Sequence, residues 1–76
     1  MRIIYIEDNL ANVALIERIC HMNEDELITF NDPETALANI APNSAELILM
    51  DLHLGNRAID GLQLTRLLRQ KGVQEP

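Results

Sequence analysis

The chain has 76 residues, a single cysteine and a net charge of -6, from 12 acidic against 6 basic side chains, and 47% of it is apolar. That length allows one domain at most, one cysteine excludes a disulfide framework, and no Cys/His spacing suits a zinc knuckle. Nothing in the sequence reads as a secretory leader or membrane-spanning run, and positive charge is too sparse to grip nucleic acid or an anionic membrane, so a cytoplasmic setting is expected.

Residues 2–7, Arg-Ile-Ile-Tyr-Ile-Glu, carry apolar side chains on both parities, as in a strand buried on both faces. Asn9 is placed to cap a helix over residues 10–22, where two apolar stripes run, Val13/Ile16/Cys20 and Leu15/Ile19/Met22. Such a helix wants neighbours on two sides. After polar residues 23–26, Leu27 to Phe30 form a second strand, and Asn31-Asp32-Pro33-Glu34 is a strong helix start with Asp32 as cap and Pro33 in the first turn. Ala36, Leu37, Ile40 and Ala41 give that helix its buried side, and Pro42-Asn43-Ser44 ends it. A third strand runs from Glu46 to Leu52, residues 53–60 form a polar loop, and Leu64, Leu67 and Leu68 define a last helix that stops at Gly72. The order β-α-β-α-β-α, with connections long enough for parallel pairing, predicts a doubly wound α/β sheet.

Ligands of such sheets bind outside the carboxyl ends of the strands. The first strand ends in Glu7-Asp8 and the third in Asp51. If those strands are neighbours, three carboxylates converge and repel one another unless a cation joins them, and hard oxygen ligands favour Mg²⁺ and phosphoryl chemistry. Taken alone, Glu7 and Asp8 are better explained by the positive amino end of the following helix. Asp51 is not, because it closes the apolar run Leu47-Ile48-Leu49-Met50. Cys20 and His21 read as core and helix-end residues, and Arg57, Arg66, Arg69 and Lys71 as a solvated positive face.

Three segments together, Ile3-Ile4-Tyr5-Ile6-Glu7-Asp8-Asn9, Leu47 to Leu54 with Asp51 and His53, and Asp60-Gly61 ahead of a Leu/Arg helix, resemble the receiver domain of two-component response regulators. The resemblance implies a flavodoxin-like fold with strand order 2-1-3 in this chain. It implies that Asp51 is the phosphoacceptor, taking a phosphoryl group from phosphohistidine on a sensor histidine kinase or a histidine phosphotransfer protein. Asp8 would ligate Mg²⁺ directly, Glu7 through water, and His53 through its backbone carbonyl. It further implies a signalling module rather than an enzyme, capable at most of slow self-phosphorylation and self-dephosphorylation.

The chain departs from the family pattern in three ways. Gly55 stands where the family has proline, and Asp60-Gly61 comes two residues late. The family runs to about 120 residues, within the usual range for one domain. Residues 1–76 therefore read as an incomplete receiver domain holding strands and helices one to three, without strands and helices four and five and without the switch Ser/Thr and phosphate-binding Lys. Lys71 sits on the wrong element to replace that lysine. A third strand left as an edge, and a first helix with an unpartnered stripe, lead to an expectation of self-association or domain exchange through that edge, and of impaired phosphorylation. The alternative is a non-catalytic interaction or oligomerisation fragment. A phosphatase of the haloacid dehalogenase type fits less well, since His53 stands where a second aspartate is wanted, and no Gly-rich loop suggests a nucleotide.

Overall fold

A computed structural model of the chain describes residues 1–51 and 60–76. Its elements alternate in chain order: β1 (Arg2–Ile6), α1 (Leu10–Met22), β2 (Glu26–Phe30), α2 (Pro33–Asn39), β3 (Leu47–Met50) and α3 (Gly61–Gln70). The strands form one parallel sheet in the order β2-β1-β3, with Ile4 opposite Ile28 on one side and Ile48 on the other. The α/β architecture and strand order expected from the sequence are therefore present.

Alternation along the strands divides the core between two faces. Ile4 and Ile6 of β1 pack with Ala36, Ile40, Leu64, Leu68 and Val73, and half-buried Phe30, Ile48 and Met50 complete this side. It is the face covered by α2 and α3. Tyr5 and Glu7 have the opposite parity, and α1 lies on their side, since Asn12 of α1 and Tyr5 both reach the Glu7 carboxylate. Burial of β1 on both faces follows, with Ile3, Ile4 and Ile6 all buried.

The predicted caps form. The Asn9 side chain accepts from the amides of Ala11 and Asn12, and that of Asp32 accepts from Thr35 at 2.7 Å with Pro33 in the first turn. At α3, Asp60 and Gln63 exchange side-chain and backbone bonds in a reciprocal capping box. The second helix is shorter than the apolar pattern suggests: it ends at Asn39, Ile40 is a buried extended cap, and Ala41 is exposed. Leu67 is only half-buried, and the residue that completes the core beside Leu64 and Leu68 is Val73.

Val73 reaches the core because of the way α3 stops. Its amide donates to Leu68 O at 2.9 Å and that of Gly72 to Arg69 O at 3.1 Å, closing a Schellman turn around Gly72 at φ +101°. Helix α1 ends on the same pair of bonds, Asp25 to Cys20 O and Glu24 to His21 O, but with Glu24 in the left-handed conformation at φ 59°. An L side chain is strained there where glycine is not. Gly72→Ala is accordingly expected to lower stability by about 1–2 kcal/mol and Glu24→Gly to raise it by a smaller amount, read as opposite shifts in urea midpoint.

Two expectations about exposure have definite outcomes. The inner stripe of α1 faces the sheet through buried Cys20, while Leu15, Ile19 and Met22 remain 57%, 46% and 75% exposed, joined by Leu10 at 78%. β3 is an edge strand whose four residues are all half-buried, less enclosed than its apolar sequence suggests. At that edge the Ile48 amide donates to the carbonyl of Pro76 at 2.8 Å. Among the described residues no helix is long and apolar enough to cross a membrane.

Candidate functional site

β1 and β3 are hydrogen-bonded neighbours, so their carboxyl ends lie side by side, and the Asp51 amide donates to Ile6 O at 3.1 Å just beyond the last strand pair. That placement gathers Glu7, Asp8 and Asp51, with one carboxylate oxygen from each lying within 4.8 Å of the others. The condition set by the sequence, that the two acid-ended strands be adjacent, is met. His53, expected to contribute its backbone carbonyl, and Gly55 lie outside the described residues.

The three acids differ in surroundings. Glu7 is 6% exposed, the only charged side chain among the described residues that is fully buried, whereas Asp8 is exposed and Asp51 half-buried. A buried carboxylate must find donors, and Glu7 finds four. Its Oε1 accepts from the backbone amides of Asp8 at 3.1 Å and Asn9 at 3.2 Å. Its Oε2 accepts from the Tyr5 hydroxyl at 3.1 Å and the Asn12 side-chain amide at 3.3 Å.

Burial alone pushes the Glu7 carboxyl up, but its hydrogen bonds with Asp51, the Asn9 amide, Tyr5 and Asn12 outweigh that and hold it below the ordinary glutamate value. Burial and the neighbouring Glu7 carboxylate in turn push the Tyr5 phenol up, so its hydroxyl remains a donor.

The donor set fits Mg²⁺. Three carboxylates offer hard oxygens at one strand edge, and exposed Asp8 leaves room for the waters that this ion retains. Glu7, buried and with both oxygens accepting from protein donors, is less open to direct ligation than exposed Asp8. The simpler account of Glu7 as a carboxylate at the helix start is also partly realised, since it accepts from the two amides that precede α1.

Tyr5 and Asn12 were not singled out by sequence reasoning. The available signal is spacing: Tyr5 and Glu7 are two apart on one strand and so share a face, and Asn12 stands in the first turn of the helix that follows.

A parallel α/β sheet with carboxylates converging outside two adjacent strand ends places an acidic cluster where open α/β sheets bind their ligands. The chain belongs to the response regulator receiver domain family, whose model matches residues 3–76. No curated protein matches the sequence.

Proposed function

We propose that the chain is a phosphoacceptor module of a two-component phosphorelay, with Asp51 receiving a phosphoryl group from phosphohistidine on a sensor histidine kinase or a histidine phosphotransfer protein. The observation that carries this reading is the meeting of Glu7, Asp8 and Asp51 within 4.8 Å at the end of a receiver-family sheet. Asp8 would bind Mg²⁺ directly, together with Asp51 and the carbonyl of His53, and Glu7 would bind it through water. Bound there, the ion offsets charge on the phosphoryl oxygens.

The protein's own part is positioning. The Asp51 backbone is held by Ile6 O at the end of β3, which directs its carboxylate outward beside Glu7. In the transfer one Asp51 carboxylate oxygen bonds to phosphorus while the P–N bond to the donor imidazole breaks, the electron pair returning to nitrogen. Such a module is a substrate of its kinase and turns over slowly, if at all, on its own.

A second reading rests on a separate observation: Leu15, Ile19 and Met22 form an exposed apolar stripe of α1, and β3 is an edge of uncharged residues. On that reading the chain works by association, through the β3 edge or by domain exchange, and its acids are a remnant. One experiment separates the two. Incubation with Mg²⁺ and a small phosphoramidate should add one phosphoryl group to the intact mass, and a chelator should prevent it. No added mass, with oligomers in light scattering at micromolar concentration, would establish the association reading instead.

A further inference from the structure

We propose that Tyr5 and Asn12 are positioning residues for Mg²⁺: they fix the Glu7 carboxylate in the one orientation from which it can hold a water of the bound ion. The inference rests on the phosphoacceptor reading and extends it to two residues that would act on the ion through Glu7.

The argument begins from the glutamate side chain. It has one more rotatable bond than aspartate, and at the end of a strand a free glutamate would lose that freedom each time an ion bound. In this fold the side chain is already immobilised. The two backbone amides hold Oε1, and the Tyr5 hydroxyl and Asn12 amide hold Oε2 from the strand side and the helix side. The backbone half survives any side-chain substitution. The Oε2 half rests on these two side chains.

Their surroundings make a plain packing role separable from a positioning role. Asn12 is exposed on the first turn of α1, where the better helix propensity of alanine offsets the donor that buried Glu7 loses, so Asn12→Ala should change stability little. Tyr5→Phe keeps the half-buried ring and removes only the oxygen.

The test is calorimetric titration of the folded chain with Mg²⁺ alone, set beside thermal unfolding of each variant. Each single variant should weaken Mg²⁺ binding several-fold and the double variant by about 10- to 100-fold, the range seen when outer-shell partners of metal ligands are removed. The Asn12→Ala melting temperature should change little. Because Tyr5 is the sole tyrosine and tryptophan is absent, its emission in the wild type should also change on Mg²⁺ addition. A double variant that binds Mg²⁺ within about twofold of wild type overturns this inference and leaves the phosphoacceptor reading standing. A wild-type chain that binds no Mg²⁺ overturns both.

Discussion

Replacing Asp51 by asparagine is expected to abolish phosphoryl transfer to the chain while leaving the fold intact. The two side chains have the same shape, and the backbone contact that fixes residue 51, its amide to Ile6 O at 3.1 Å, is unaffected. Only the anionic oxygen is lost, and with it the atom that would attack phosphorus. Stability should hold or rise, because three carboxylates with oxygens within 4.8 Å repel one another and the substitution removes one of them. Intact-mass analysis after treatment with Mg²⁺ and a phosphoramidate is the measurement, run on both proteins beside thermal melts. Equal labelling of Asp51→Asn and wild type would place the acceptor elsewhere and end the claim for Asp51.

The parts of this site that were legible in the sequence are those that depend on period and position. An acid closing an apolar run more often marks a site than a casual surface charge, so Asp51 stands out from the sequence alone, and Glu7-Asp8 follow once the two strands are taken as neighbours. What was not legible is who satisfies Glu7. Its partners come from β1 and from the first turn of α1, and their convergence depends on the side of the sheet on which the helix packs. The same limit applies to the core. Val73 follows a glycine and precedes polar residues, and nothing in its local pattern marks it as buried. It is 1% exposed because Gly72 adopts φ +101° and turns the chain back over Leu68. Ala41 is the converse case, apolar and in helical register, yet exposed because α2 has already ended at Asn39.

Edge position explains the remaining difference. Leu47-Ile48-Leu49-Met50 has the composition of a central strand, and β1, which is central, is buried as such a sequence should be. Among the described residues β3 has a strand on one side only, and its residues stay half-buried. Composition reports what a strand is suited to, whereas burial depends on how many neighbours it has.

The largest effect on stability is expected at Leu64. It is fully buried between α3 and the sheet, in one cluster with Ile4, Ile6, Ala36, Ile40, Leu68 and Val73. Truncation to alanine removes its transfer energy and leaves a cavity, a loss of about 2–5 kcal/mol for a leucine so enclosed. A single core in a chain of this length supplies roughly 3–5 kcal/mol in total. The two ranges overlap, so Leu64→Ala should leave much of the population unfolded at 25 °C, whereas Leu62→Ala, two residues earlier on the 53% exposed face of the same helix, should change stability little. Urea unfolding followed by circular dichroism tests the pair. A loss below about 1 kcal/mol for Leu64→Ala would mean that this cluster is not what holds the sheet to α3. Because the same cluster anchors Ile6, whose carbonyl accepts the Asp51 amide, loosening it should also reach the acidic site from below.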